Sequence, residues 1–345
     1  MDKADIMLAL ADIPAPGGGD LVSAGLVESV SIAGGTVQVA LRATRASLAA
    51  MEAAGAQAQT RLRALPGVRQ AAFVLTAHKA AEPPRHGPDI PAAAILPHVG
   101  AVIAVASGKG GVGKSTVAVN LAAALAQSGL RIGLIDADVH GPSLPRMLGT
   151  AARPETRDGL MLPVAAFGVS CMSVGFLVPE DQAMIWRGPM VMGALTQMLG
   201  QVAWGALDIM VIDLPPGTGD AQLTLSQKTK LRGAVIVSTP QDIALIDARR
   251  GVSMFQKVDV PILGIVENMS YFTCPHCAQR TDVFGHGGAH EEAKRLGVPF
   301  LGQIPLLAAI RASGDAGKPI VLAEPDSEAA GAFRAIAHQV AALVA

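Results

Sequence analysis

Residues 102–116 read Val-Ile-Ala-Val-Ala-Ser-Gly-Lys-Gly-Gly-Val-Gly-Lys-Ser-Thr, an apolar run that passes directly into a glycine-rich loop. Gly108, Lys109, Gly110, Gly111, Val112, Gly113, Lys114 and Ser115 satisfy the spacing G-x-x-x-x-G-K-S/T. The run Val102–Ala106 has strand length and Ser115–Gln127 suits a helix, so the loop sits where a phosphate loop must sit. Glycines there let successive backbone N–H groups turn inward around phosphate oxygens, and the helix N-terminus adds a favourable dipole. A strand-to-helix turn without a ligand is the plainer alternative, but it does not demand the full spacing. Lys114 is expected to neutralise the β and γ phosphates, and the Ser115 hydroxyl to ligate Mg2+.

Outward from the loop, Ile132–Ile135, Ile209–Ile212, Ala234–Val237 and Ile262–Val266 are further apolar runs, separated by helix-compatible segments such as Ile243–Phe255. Continuous apolar strands alternating with helices predict an α/β fold with a mostly parallel, doubly wound sheet covered on both faces. Chemistry in such sheets lies beyond the carboxyl ends of the strands. Acidic residues fall there: Asp136 and Asp138 after 132–135, and Asp213 directly after 209–212. A carboxylate in the position of Asp213 suits holding Mg2+ through water.

Composition narrows the function classes. The 345 residues carry 27 Lys or Arg against 28 Asp or Glu, and this near-neutral balance argues against nucleic acid or an anionic membrane as partner. Half the residues are hydrophobic and only 16% are charged, which excludes disorder as a general description. Aromatics reach only 3%, so the core must be built from Ala, Val, Leu, Ile and Met. Three cysteines cannot form a disulfide framework, which points to a reducing, cytoplasmic setting and leaves metal or redox roles open. Met1–Leu10 holds Asp2, Lys3 and Asp5 and has no apolar h-region, so no secretory signal is read. Residues 90–108, 159–179 and 188–207 lack charge, but their prolines, glycines and glutamines fit short buried elements better than a membrane span.

Residues 79–97 contain Pro83, Pro84, Pro88, Pro91 and Pro97, a spacing that predicts an extended linker. Residues 1–78 before it read as a small α+β domain in the order α-β-β-α-β. Its elements are a helix over Met1–Ala11, strands Leu26–Ile32 and Val37–Ala43 around Gly34-Gly35, an Ala-rich helix Leu48–Leu65 and a strand Val68–Thr76. Residues 98–345 form the P-loop domain.

A second lysine, Lys109, makes the loop G-K-G-G-V-G-K-S-T, with Thr116 after Ser115. In this the sequence resembles the MinD/Mrp class of deviant Walker A P-loop ATPases, which also includes the nitrogenase iron protein. The resemblance implies ATP as the nucleotide and a homodimer in which Lys109 reaches the partner's nucleotide; a solvated surface lysine is the alternative. It also implies that Asp138 orients the attacking water with Asp136 in support, and that Asn268 contacts the base. An ordinary turn asparagine remains open for Asn268.

Cys274-Pro275-His276-Cys277 follows the strand that ends near Asn268. Two thiolates this close can share a metal centre, but neither zinc nor a 4Fe–4S cluster is satisfied by two ligands. Three completions are open. A homodimer can bring two pairs to one cluster, His286 and His290 can complete a zinc site, or the pair can be a thiol redox motif. The dimer reading is preferred because Lys109 independently predicts face-to-face copies. Cys171 lies in an apolar run and reads as a small buried hydrophobe.

With Gly108–Thr116, Asp136–Ser143, Trp186-Arg187-Gly188-Pro189, Asp213–Asp220, Asn268-Met269-Ser270 and Cys274–Cys277 quoted, residues 102–343 resemble the Mrp (ApbC-like) iron–sulfur cluster carrier family. That resemblance implies carriage of a cluster, of the 4Fe–4S type, from an upstream scaffold to apo acceptor proteins, with ATP hydrolysis attached. Residues 1–78 look like the iron–sulfur assembly module that often precedes this ATPase, but Thr44–Leu48 has no cysteine where that module usually has one, so no metal role is assigned there. A zinc-stabilised nucleotide switch and a MinD-type positioning ATPase are the competing readings.

Overall fold

Alternation at Val37, Val39, Leu41 and Ala43 buries one face of a strand, as a period-two pattern must. This strand, Thr36–Ala43 (β2), pairs antiparallel with Val27–Ala33 (β1) and parallel with Gln70–Ala77 (β3). A parallel neighbour requires a crossover, supplied by the helix Leu48–Arg63 (α2), which packs on β3 and against the first helix, Lys3–Ala11 (α1). Ile6, Leu10, Leu21, Met51 and Leu62 close this core. The computed structural model describes residues 3–16, 18–33, 36–43, 47–77, 96–138, 141–150, 152–177, 188–217 and 219–345. The Gly34-Gly35 turn, residues 44–46, nearly all of the expected linker, Val139-His140, Trp186-Arg187 and Thr218 lie outside the described residues. The chain divides into two compact units, Met1–Asp89 and Ile90–Ala345.

In the second unit the strand ahead of the glycine loop, Val99–Ala106 (β4), is buried from Ala101 onward. It leads into Lys114–Gln127 (α3), then Ile132–Asp136 (β5) and the single turn Leu144–Met147 (α4). Short antiparallel pieces follow: Thr156–Arg157 (β6), Leu160–Met161 (β7), Val164–Ala166 (β8) and Val169–Ser173 (β9). Next come Gly188–Gly200 (α5), Leu207–Asp213 (β10), Asp220–Lys228 (α6), Gly233–Ser238 (β11), Asp242–Lys257 (α7) and Ile262–Glu267 (β12). A two-rung hairpin, Phe272–Thr273 (β13) with Arg280–Thr281 (β14), precedes Gly288–Leu296 (α8) and Phe300–Gln303 (β15). Ala308–Asp315 (α9), Ile320–Ala323 (α10) and Glu328–Val344 (α11) close the chain.

Eight of these strands form one sheet in the order β15-β12-β11-β4-β10-β5-β9-β8, parallel throughout except for the β8–β9 edge pair. The expected doubly wound sheet is present, and the apolar runs are its central strands. Residues 159–179, read only as buried elements, supply β8, β9 and part of the β6–β7 ribbon. β9 is buried between β5 and β8 but Ser170 interrupts its apolar residues, and the other pieces are only two or three residues long, so no continuous apolar run marks them. Helix α3 is buried almost all round, from Val117 to Leu125, and packs against α11 and the sheet. Among the described residues no helix is long and apolar enough to cross a membrane.

Candidate functional site

The sheet order places the carboxyl ends of β4, β10, β5 and β12 together. The chain runs from β4 over to β5 in one direction and later returns to β11 on the other side, so a crevice opens above β4 where the direction reverses. The loop 108–113 occupies that crevice. Gly113 adopts φ +79, and a side chain there would collide with the Asn268 amide. Gly108 lies so close to the Asp247 backbone carbonyl that it tolerates no Cβ. These two glycines are therefore set by packing, and the backbone N–H groups of the loop stay open to a ligand.

Two cavities share this loop. One, of about 270 Å³, is bounded by Lys109, Gly110, Gly111, Lys114, Ser115 and Asp138 among others. The second, of about 490 Å³, adjoins it through Gly113, Thr116, Ser143 and Met147 and extends to Asn268, Leu306 and Arg311. The first has the size and donors for phosphates; the second is larger and has Leu306, Leu307 and Ile310 along its wall, as a base requires. Arg146, Arg311 and Asp315, which rim the larger cavity and pair with one another, carried no recognisable motif in the sequence.

Inside the crevice, Lys114 bonds the Asp213 carboxylate and approaches the Ser115 hydroxyl at 3.2 Å. Lys114 is 6% exposed and Asp213 0%, so this is a fully desolvated ion pair. The second oxygen, Asp213 Oδ2, is buried without a hydrogen-bond partner among the described residues. An unshared carboxylate oxygen beside the Ser115 hydroxyl has the hard-oxygen chemistry that Mg2+ takes. Burial pushes the Asp213 carboxyl up, while the Lys114 ammonium pulls it back. Lys109 is half-buried at the mouth of the phosphate cavity and has no carboxylate partner among the described residues.

Asp213 stands in register with Asp136, and Asp136 with Ser173, across three neighbouring parallel strands. All three are buried, and Asp136 gathers the most hydrogen bonds. Its Oδ1 accepts from the Asp138 N–H at 3.1 Å, and its Oδ2 from the N–H groups of Ser143 (3.0 Å) and Leu144 (3.2 Å) and the Ser173 hydroxyl (3.0 Å). It thus anchors both ends of the loop that carries Asp138, a positional role the strand-end motif did not reveal. Asp138 itself faces the phosphate cavity.

Burial, reinforced by the neighbouring Asp213, pushes the Asp136 carboxyl up to about 7, against the pull of the Leu144 and Asp138 N–H groups and the Ser173 hydroxyl. The unfolded chain releases this proton near the ordinary carboxylate value of about 4. An acid raised in the folded state contributes stability that is full below the unfolded value and is lost as pH rises through the folded one. The nucleotide-free chain is therefore expected to lose thermal stability between about pH 4 and 7, and Asp136→Asn to flatten that decline by roughly 4 °C in melting temperature. Calorimetry at pH 5 and pH 8 on both proteins checks this; equal declines would refute it.

Asn268 is buried. Its Nδ2 donates to the Val112 carbonyl at 2.8 Å, and its N–H to Ser238 O at 2.8 Å, so the side chain braces the phosphate loop while lining the larger cavity. Just beyond it, Cys274 and Cys277 sit on the turn between β13 and β14. The Cys274 N–H bonds Gln279 O and the Ala278 N–H bonds Cys274 O, with Ala278 left-handed at φ +55. This tight turn aims the His276 and Cys277 N–H groups at the Cys274 sulfur, and these hold its thiol below the usual range. Cys274 is half-buried and Cys277 exposed, so both sulfurs are within reach of a partner.

The zinc completion is not assembled. His286 Nδ1 lies against Asp282 (3.4 Å) and Arg280 (3.1 Å), and His290 packs edge-on to Phe300. Among the described residues no group of three or more His, Cys, Asp or Glu side chains is placed to hold a metal ion. Cys171 is buried in β9, where burial pushes its thiol up to about 12, in keeping with a small core hydrophobe.

Known proteins are similar to this chain in sequence and fold. The NUBPL iron-transfer P-loop NTPase family matches residues 98–341, and the iron–sulfur cluster assembly protein family matches residues 3–73. An iron–sulfur cluster carrier protein of Synechocystis sp. is 46% identical over 330 residues, which cover 94% of this chain and 92% of that protein. A nucleotide-binding protein from Archaeoglobus fulgidus, solved in complex with ADP, aligns with a TM-score of 0.59 and 41% identity over 66% of this chain and 90% of its own. The cell division ATPase MinD of Pyrococcus furiosus aligns with a TM-score of 0.53 over 70% of this chain and 98% of its own, and at 24% identity it speaks to the fold alone.

Proposed function

The chain belongs to the NUBPL iron-transfer P-loop NTPase family, and from that premise we propose that it carries an iron–sulfur cluster to apo acceptor proteins and hydrolyses ATP in doing so. One observation carries the reading: a complete phosphate crevice and a cysteine turn lacking two of the ligands it needs lie on the same strand-end of one sheet. The cluster is cargo. A 4Fe–4S cluster takes four thiolates, and two copies of the exposed Cys274–Cys277 turn supply them, so the carrier is a homodimer that receives its cargo from an upstream scaffold. Free thiols of this kind suit a reducing, cytoplasmic compartment.

In the nucleotide half, the loop N–H groups and Lys114 hold the phosphates of ATP. Asp213 Oδ2 and the Ser115 hydroxyl fit Mg2+, which when bound neutralises charge developing on the phosphates. Asp138, held by the anchor at Asp136, orients the water that attacks the γ-phosphorus. Thr116 and Asn268 border the base. Lys109 reaches the nucleotide of the partner copy, where a cation stabilises the transferring phosphoryl group. Lys109→Ala is expected to lower ATP turnover at least ~10²-fold while leaving ATP affinity within about twofold, the signature of an interaction made in the transition state. Steady-state hydrolysis and equilibrium nucleotide titration check it; wild-type turnover would refute the role.

The MinD-type positioning reading needs an apolar helix face left free for a membrane. Helix α11 instead buries Phe333, Ile336 and Val340 in the core against α3. Anaerobic reconstitution with iron and sulfide, followed by metal analysis and sedimentation, tests the carrier reading. About four irons per two chains are expected; an iron-replete monomer would overturn it.

A further inference from the structure

Glu267, the last residue of β12, is 0% exposed and has no part in the chemistry described above. Its register partners are Ser238 on β11 and Gln303 on β15. Three donors meet its carboxyl group. Oε1 accepts from the Ser270 hydroxyl at 2.5 Å and from Gln303 Nε2 at 3.3 Å, and Oε2 accepts from the Ala289 N–H at 2.7 Å.

The placement of those donors is what matters. Ser270 precedes β13 and Ala289 opens α8, so the whole cysteine hairpin lies between two points pinned to one side chain. Helix α8 has no side-chain cap of its own at Gly287; Glu267 serves its first turn from the end of β12, on which α8 packs, and a carboxyl oxygen is favoured there. The next residue in the chain is Asn268, whose amide braces Val112 of the phosphate loop. A displacement of the loop by nucleotide therefore meets the hairpin root one residue away.

We propose that Glu267 is a positioning residue that couples the phosphate loop to the cysteine hairpin. When Asn268 shifts with the loop, Glu267 moves both roots of the hairpin together, and Cys274 and Cys277 are re-aimed as a unit. Coupling of this kind requires a rigid link with both ends engaged, and a buried carboxyl group holding three donors is one. The proposal rests on the carrier reading only in naming the hairpin as the cargo site.

Hydrogen exchange over residues 271–288, measured on the full chain without and with the non-hydrolysable analogue adenylyl imidodiphosphate, tests the link. In the wild type the analogue is expected to change exchange there by about fivefold or more, the lower end of ordinary coupling. In Glu267→Ala and Ser270→Ala the change is expected to fall below about 1.5-fold, with analogue affinity kept within about twofold. Glu267→Gln, which still offers an oxygen to Ala289 and an amide to Ser270, is expected to retain most of the response. If Glu267→Ala fails to fold, Ser270→Ala decides alone. A wild-type response in a folded variant, or no response in the wild type, overturns the proposal. Iron is not read in this experiment, so a chain that loads no cluster still tests the role of Glu267, and the two readings fail separately.

Discussion

Replacing Cys274 and Cys277 together with serine is expected to remove cluster loading almost completely, to below ~10% of wild-type iron after anaerobic reconstitution, because no other thiol can take their place. Cys171 is buried in β9 with its thiol pushed up to about 12, so it supplies no thiolate and no access. The two cysteines stand on an exposed turn held by its own backbone bonds, and their loss should change stability by no more than about 0.5 kcal/mol. The double variant should thus melt with the wild type and hydrolyse ATP, while its iron content and charge-transfer absorption vanish. Retained iron at wild-type stoichiometry would remove the cysteine turn from the carrier reading, and a histidine-ligated site would have to be sought instead.

Lys114→Ala is expected to have two separable consequences. Hydrolysis should fall at least ~10²–10³-fold, since a preorganised cation at the β and γ phosphates is lost from a water-excluded site. Stability should also fall, because Asp213 is left as a fully buried acid without its partner, a loss of roughly 3–5 kcal/mol for buried pairs of this type. Burial already pushes Asp213 up and Lys114 is the main opposing pull, so the single variant forces that carboxyl toward its neutral form. The double variant Lys114→Ala with Asp213→Asn removes both charges and is expected to recover most of the stability and none of the activity. Denaturant melts and turnover on the four proteins of this cycle separate the two effects. A Lys114→Ala chain as stable as the wild type would show that the pair carries no structural load.

Different kinds of signal underlie these two expectations. The cysteine turn was legible as a motif, but counting its ligands left three completions open, and the preference for a second copy rested on Lys109. The ion pair was legible only as two separate signals, a lysine in the phosphate loop and an acid ending a strand. Nothing local said that they meet in the crevice. Asn268 shows the same gap: the family resemblance implied a base contact, and the fold adds a bond to Val112 that connects strand end and loop. Glu267 was missed, although an acid closing an all-apolar run is the same signal that marked Asp213. Its neighbour Asn268, with a motif of its own, masked it. The histidines show the opposite case, where acceptable spacing along the chain did not become proximity in space.

Local rules were sufficient for whatever depends on neighbours along the chain. Apolar runs of strand length, a glycine spacing and a pair of cysteines on one turn determined a parallel α/β sheet, a phosphate loop at its carboxyl edge and two neighbouring free thiols. The tertiary structure alone decided which side chains share a buried oxygen: Lys114 with Asp213, Asp136 with the loop of Asp138, and Glu267 with both roots of the cysteine hairpin. The reason is physical. Hydrophobic periodicity is written residue by residue, whereas the partner of a buried polar group is chosen by strand order and register, which bring together residues far apart in the chain.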